Sequence, residues 1–266
     1  MTGLEVYLLA GLAILSFNTL LWLISLRLQN SSIIDPFWSL LFLIAAVIYY
    51  DSSKNGFAER KILLLVLLLL WGIRLAGYLL WRSWGKPEDF RYQKWRAEAG
   101  SRWWWQSYFK VFVLQGILAW IISIPLLAAQ HNSDSSAWPI LDSVAVLVWS
   151  IGFFFEAVGD LQLARFRANV ENKGKVLNTG LWRYTRHPNY FGEALIWWGY
   201  YLLALAAGGF WTIYAPFIMT GLLLRVSGVA LLEKTLVDAK PQYRQYIQTT
   251  SAFIPRFPKN PGDGQA

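Results

Sequence analysis

Long apolar stretches constrain the fold of this chain more than any other feature of its sequence. A helix needs about 20 apolar residues to cross the hydrocarbon core of a bilayer. Stretches that approach or exceed this length occupy residues 4–26, 33–50, 62–81, 108–129, 140–163, 194–208 and 210–232. Hydrophobic residues make up 56% of the chain, whereas soluble domains average about 45–50%. The sequence therefore predicts an all-α, polytopic integral membrane bundle of about seven transmembrane helices.

The composition excludes several kinds of chemistry. The chain has no cysteine, so disulfides, thiolate metal sites and cysteine nucleophiles are ruled out. Its two histidines are too few for a histidine-rich metal centre, and we expect no metal. The net charge of +8 is typical of cytoplasmic loop bias in a membrane protein, and we expect no nucleic-acid partner. The first apolar stretch is too long for a signal-peptide core and lacks a small-residue cleavage site, which predicts a retained anchor.

The distribution of lysine and arginine predicts an orientation. Positive charges concentrate in the segments 82–110 and 165–192 and in the C-terminal tail, whereas the segment 130–138 has none. The segment 51–61 carries three and is an exception. Because positive loops face the cytoplasm, we expect the N-terminus outside and the C-terminus inside, in a bacterial inner membrane or the endoplasmic reticulum. Residues 1–257 are predicted to form a single membrane-embedded domain, and residues 258–266 a disordered tail.

A dense polar cluster stands between two apolar stretches, in the segment TGLWRYTRHPNYFGE at residues 179–193. Its members are Arg183, Tyr184, Arg186, His187, Asn189, Tyr190 and Glu193. Charged groups at membrane depth are costly and usually functional, and the helix predicted after Pro188 presents an N-terminus that favours anions. A basic segment attracted to anionic lipid is the alternative, but it explains neither the imidazole, the amide nor the carboxylate. The cluster predicts a binding site for a large, polar, anionic ligand.

Two further candidates lie in the first half of the chain. Asp35 opens the second apolar stretch, where it either caps a helix N-terminus or donates a proton as a general acid. Arg74 and Tyr78 are four residues apart and share a helix face. The alternative for this pair is an arginine that extends to the interface beside a structural tyrosine.

Two charged pairs lie near the ends of later stretches. Asp160 and Arg167 flank the segment LQLARF at the end of the fifth stretch, and Arg225 and Glu233 lie in and after the seventh. Each pair is either part of a ligand site or an intrahelical charge pattern.

At these residues the chain resembles the DUF1295 branch of the steroid 5α-reductase-like membrane enzymes. The resemblance runs from IIDPFW to YRQYIQTTSAFIP and is strongest in FFEAVGDLQLARFR, GLWRYTRHPNYFGE and LLRVSGVALLEK. It implies a seven-helix fold that binds NADPH on the cytosolic side. Residues that match cofactor positions of that superfamily are Asp160, Arg167, Asn189, Glu193 and Arg225.

The resemblance is weaker on the substrate side. The second stretch has Asp35 but not the Gln-Glu pair of steroid 5α-reductases, and Trp71 stands about where their catalytic tyrosine is expected. The motif RHPNY is also similar to the corresponding segment of sterol C14-reductases and isoprenylcysteine methyltransferases. A steroid substrate therefore does not follow.

These observations predict an NADPH-dependent oxidoreductase acting on CH–CH groups. We expect it to reduce the conjugated C=C bond of an enone in a steroid-like, isoprenoid or lipid substrate that enters from the bilayer. The catalytic candidates are Asp35 and Tyr78. The candidate cofactor residues are Arg74, Asp160, Arg167, Arg183, Tyr184, Arg186, His187, Asn189, Tyr190, Glu193, Arg225 and Glu233.

Two alternatives remain open. One is an S-adenosylmethionine-dependent methyltransferase of the isoprenylcysteine type, which needs no acid in the second stretch. The other is a transporter or lipid-binding scaffold, which predicts polar groups at mid-bilayer.

Overall fold

The computed structural model describes residues 1–53, 56–131, 139–226, 233, 237, 240 and 242–259. Its regular elements are all helical, and the prediction of an all-α protein is confirmed. We number the α-helices α1 Gly3–Leu28, α2 Ile34–Ser52, α3 Ala58–Ser83, α4 Phe90–Ala99, α5 Trp103–Ser107, α6 Leu114–Ile122, α7 Ile124–His131, α8 Pro139–Ala168, α9 Pro188–Ala206, α10 Tyr214–Gly221 and α11 Gln242–Thr249. π-Helical turns at Tyr108–Val113 and Leu222–Val226 adjoin α6 and α10.

Several of these helices are long and apolar enough to cross a membrane. The described part of the chain contains five such segments: Gly3–Leu28, Ser31–Ser52, Ala58–Ser83, Phe90–His131 and Ile140–Ala168. A shorter apolar segment covers Phe210–Arg225, and residues 227–232 of the last predicted span lie outside the described residues. The chain is a multi-pass membrane protein, and the count of seven spans stays a prediction.

Local signals in the sequence explain where α1 begins and ends. Thr2 and Glu5 form a capping box, in which each side chain accepts a hydrogen bond from the backbone N–H of the other residue. These bonds satisfy donors that have no partner at a helix start. At the other end Gln29 adopts a left-handed conformation (φ 51°), which turns the chain towards α2.

The chain divides into two compact units. The first, unit 1, comprises Met1–Pro139 and Leu203–Ala215. Within it α7 lies in the interior, because every residue from Ile124 to Gln130 is buried. Pro125 separates α7 from α6, since proline cannot donate the hydrogen bond that a continuous helix needs.

The second, unit 2, comprises Ile140–Leu202 and Pro216–Ala266. Its helices α8 and α9 pack through glycines spaced seven residues apart, Gly152 and Gly159 on one helix and Gly192 and Gly199 on the other. A Cβ added at Gly192 would lie 2.4 Å from the backbone nitrogen of Glu156. Small residues at such spacing allow helix backbones to approach closely.

The predicted division into one domain and a tail is only partly covered by the described residues. The single domain over residues 1–257 stays a prediction. Residues 260–266 of the predicted tail lie outside the described part. The start of that segment is attached to the fold, because the backbone N–H of Lys259 donates to the carbonyl of Thr249 at 2.9 Å.

Candidate functional site

The carboxylate of Asp160 and the side-chain amide of Asn189 meet where α8 and α9 pack together in unit 2. The Nδ2 of Asn189 donates to the Oδ1 of Asp160 at 3.0 Å, and Asp160 is only 3% exposed. Glu156, one helical turn before Asp160, is also buried. The Oδ1 of Asn189 is buried, and no hydrogen bond reaches it from the residues that the structure describes. An acceptor left unsatisfied in the interior is costly and requires an explanation, and an N–H group of a bound ligand would supply one.

An ion network beside this pair engages Arg186. Its Nε and Nη2 donate to the two carboxylate oxygens of Glu233 at 2.7 and 3.1 Å. Its Nη1 donates to the carbonyls of Ile247, at 3.1 Å, and Thr250. Arg186 therefore acts as a clamp that joins the start of α9 to the C-terminal segment.

The same carboxylate also contacts the imidazole. The Nε2 of His187 lies 3.2 Å from Oε1 of Glu233, and the imidazole stacks on the ring of Tyr190 at 5.5 Å. Burial by itself raises the pKa of Glu233, but the hydrogen bonds from His187 and Arg186 outweigh it and lower that pKa to about 2. Arg186 and His187, two members of the predicted cofactor set, thus both contact a third member, Glu233. Their binding of a cofactor stays a prediction.

The segment before α9 is fixed from both sides. The indole Nε1 of Trp182 donates to the carbonyl of Gly159 at 3.1 Å, and the hydroxyl of Tyr246 donates to the carbonyl of Trp182. Thr185 forms an isolated parallel bridge with Ser251. Tyr184, a predicted cofactor residue, accepts a backbone hydrogen bond from Arg256 at 2.9 Å and packs against Phe257. The roles of Trp182 and Tyr246 were not predicted from the sequence, because no local spacing signals them.

A groove of about 420 Å³ opens on the same unit. It lies between the loop that follows α8 and one face of α11, and Arg183 is the charged residue in its lining. Arg183 is exposed, as are Arg167 at the end of α8 and Arg225 after α10. Glu193 is half-buried on α9. The structure thus separates an interior amide–carboxylate pair from a set of exposed guanidinium groups.

In unit 1 the carboxylate of Asp35 receives hydrogen bonds from α4. The hydroxyl of Tyr92 donates to Oδ1 at 2.7 Å, and the Nη2 of Arg91 donates to Oδ2 at 3.1 Å. The Nε2 of Gln115 donates to the Tyr92 oxygen at 3.2 Å. The cap of α2 is Ile33, and Asp35 lies in the first turn. Arg91 and Tyr92 were not singled out from the sequence, although an acid at the start of an apolar stretch signals a partner elsewhere.

The shared helix face of Arg74 and Tyr78 is present on α3. The guanidinium of Arg74 lies 5.5 Å from the centroid of the Tyr78 ring, and that of Arg82 lies 5.7 Å from it. The phenol is therefore placed between two cations. Across the described residues, no group of three or more His, Asp or Glu is arranged to hold a metal ion.

Comparison with known proteins places these features in a family. No solved structure matches the chain. The chain is 27% identical to Uncharacterized protein C594.04c of Schizosaccharomyces pombe, in an alignment that covers 92% of this chain and 78% of that protein. The model of a family described as "Protein of unknown function (DUF1295)" matches residues 21–250. Because that match spans most of the chain and includes both units, the protein belongs to the DUF1295 family.

Proposed function

We propose that this protein is an NADPH-dependent membrane reductase that saturates the C=C bond of a conjugated enone in a lipophilic substrate. The observation that carries the proposal is the contact between the buried carboxylate of Asp160 and the part-buried amide of Asn189, whose buried Oδ1 lacks a hydrogen-bond donor among the described residues. A carboxamide N–H, such as the one on a nicotinamide ring, matches this acceptor.

The residues of unit 2 fit the chemistry of NADPH. Asp160, Asn189 and Glu193 offer hydrogen-bonding groups for the amide end. The exposed guanidinium groups of Arg167 and Arg183 suit phosphates. Arg225 is a further exposed cation of the predicted set. When bound, NADPH supplies a hydride. The task of the protein is then to position that cofactor, exclude water and polarise the substrate.

Unit 1 supplies the groups that we assign to the substrate. An enone gains negative charge on its carbonyl oxygen during reduction, and a positioned hydrogen bond to that oxygen lowers the barrier. Asp35 and Tyr78 remain our candidates for this bond: the phenol of Tyr78 donates as it stands, whereas Asp35, whose two oxygens accept from Tyr92 and Arg91, donates only in its protonated form. Arg91 and Tyr92 hold the carboxylate of Asp35 in place from α4. The lipophilic substrate class follows from the apolar surface of the helices, from which a substrate in the bilayer can enter.

Cofactor binding to detergent-purified protein tests the proposal. We expect thermal stabilisation by NADPH, weaker stabilisation by NADH, and none by S-adenosylmethionine, because a ligand that binds only the folded state stabilises it in proportion to its affinity. Stabilisation by S-adenosylmethionine alone would overturn the reductase and favour the methyltransferase. A panel of lipophilic enones with NADPH then tests turnover, with the saturated product identified by mass spectrometry.

Two variants test the placement of the cofactor. Asn189→Ala and Glu193→Gln each remove a hydrogen-bonding partner, at a cost of about 1–3 kcal/mol per unsatisfied group. NADPH affinity should fall while the protein still inserts and purifies. Asn169→Ala, a change at an exposed asparagine of the same unit, is the matched control. If Asn189→Ala binds NADPH as tightly as the control does, the site lies elsewhere.

A further inference from the structure

Most residues that line the groove on unit 2 have polar side chains, and apart from Arg183 the proposed reaction assigns them no role. One wall is formed by Asn178 and Arg183, and the other by Gln242, Gln245, Tyr246 and Thr249. The four residues from α11 are spaced at i, i+3, i+4 and i+7, so they occupy one helix face. The volume of about 420 Å³ lies in the range of small-molecule sites.

The charge around the groove is positive. Its lining contains Arg183 and, among the described residues, no carboxylate. Lys175 and Lys259 adjoin the lining residues Val176 and Pro258 in the chain. The Nζ of Lys240 donates to the carbonyl of Lys175 at 2.6 Å. The described lining thus carries one cation and no acid, with two lysines next to it in the chain.

Two further observations concern the charged groups of the same unit. Burial lowers the pKa of Lys240, and the nearby guanidinium of Arg167 lowers it further. A like charge close enough to have this effect indicates crowding of cations. Glu233, a carboxylate of the same unit, is already engaged by Arg186 and His187.

We propose that this groove binds a phosphate group, either a phosphomonoester or a diphosphate, with Arg183 as its charged partner. The side-chain amides of Gln242, Gln245 and Asn178 donate to the phosphate oxygens. Arginine and amide groups recognise phosphate through charge-assisted hydrogen bonds. The proposal concerns phosphate binding and does not require reductase activity.

Inorganic pyrophosphate is the probe, titrated into the full chain in a neutral detergent at physiological salt. Arg183→Gln should weaken its binding about tenfold, because a charge-assisted contact is lost. Arg244→Gln makes the same substitution on α11, at an exposed position outside the groove lining, and should leave binding within about twofold, because an exposed charge that makes no direct contact with the phosphate is weakened by salt.

A second matched pair of variants adds one negative charge and leaves the size of the side chain nearly unchanged. Gln245→Glu places a negative charge in the groove. It should also weaken pyrophosphate binding about tenfold, because the new carboxylate repels the pyrophosphate anion at short range. Gln248→Glu makes the same substitution at an exposed position outside the lining. All four positions are exposed, so the variants should fold. Equal loss in the groove and control variants, or no binding of pyrophosphate to the wild type, would refute the proposal.

Competition identifies the source of the phosphate. Displacement of pyrophosphate by NADPH assigns the groove to the nucleotide, and a weaker effect of NADH assigns it to the 2′-phosphate in particular. Displacement by vesicles of phosphatidylglycerol, but not of phosphatidylcholine, assigns it to a lipid headgroup. If neither NADPH nor the phosphatidylglycerol vesicles displace pyrophosphate, the ligand is a free phosphate compound. Pyrophosphate binding without enone reduction would refute the proposed function and support the phosphate site. Enone reduction without pyrophosphate binding would support the proposed function and refute the phosphate site.

Discussion

Replacing Gly192 by alanine tests how unit 2 holds its amide–carboxylate pair. The added Cβ would lie 2.4 Å from the backbone nitrogen of Glu156 and 2.5 Å from the carbonyl oxygen of Gly152. Ordinary van der Waals contact for such an atom begins at 3.4 Å. Since both neighbours are backbone atoms, they cannot rotate away, and α8 and α9 must separate by about 1 Å, the difference between 3.4 and 2.4 Å.

This separation should destabilise the protein. Forcing an extra methyl group into a packed interior costs about 1–3 kcal/mol. Alanine returns up to about 1 kcal/mol through its higher helix propensity. We therefore expect a net loss of about 0–2 kcal/mol, which is about 1–3 kcal/mol more than for a glycine-to-alanine change without a clash. The site should weaken too, because Gly192 lies on α9 between Asn189 and Glu193, and a shift of that helix moves Asn189 away from Asp160.

The measurement is the unfolding temperature of the detergent-purified protein, together with its NADPH affinity. Gly77→Ala is the matched control, since Gly77 is an exposed residue inside α3 with no atom within 4 Å of an added Cβ. It should be neutral or slightly stabilising. Equal unfolding temperatures for Gly192→Ala and Gly77→Ala would show that α8 and α9 do not pack through this glycine, and the reasoning would fail.

Three further predictions concern charge and topology. The pKa of Glu233 is lowered from 4.5 to about 2, so the stability that its ion pairs contribute is fully present above pH 4.5 and is lost as pH falls towards 2. Glu233→Gln should remove this acid dependence, measured as the change in unfolding temperature between pH 4.5 and about 2, and an unchanged profile would count against the clamp. Asp35→Asn keeps an acceptor for Tyr92 but not an acid, so enone turnover should fall by about 10²–10⁴ with NADPH binding intact. Near-wild-type turnover would leave Tyr78 as the remaining candidate. Reporter fusions at residues 130–138 should lie outside and fusions at the C-terminus inside, and the reverse result would place the polar cluster away from cytosolic NADPH.

The helical membrane fold was predictable because it depends on local properties of the chain. In hydrocarbon every backbone N–H and C=O must find a partner, and a helix satisfies them within one segment. Apolar stretches such as residues 4–26 and 62–81 therefore specify α1 and α3 without reference to the rest of the protein. The glycines spaced seven apart in α8 and α9 were equally visible in the sequence, although we did not use them to predict a close helix contact.

The polar cluster at residues 179–193 was found from sequence, because charged groups beside apolar stretches stand out by composition alone. Which partners its members would take was not predictable. Arg186 was predicted as a cofactor residue, and its donors are directed at Glu233, Ile247 and Thr250, which lie 47, 61 and 64 positions away.

The sequence by itself determined that this protein is an all-α membrane protein with polar chemistry at the ends of its helices. Only the tertiary structure decided that Asp35 accepts a hydrogen bond from Tyr92, 57 positions away, and that Asp160 accepts one from Asn189, 29 positions away. The physical reason is the range of the interactions. Helix formation is decided by neighbours within a few residues, whereas a carboxylate accepts any donor that packing brings within about 3 Å.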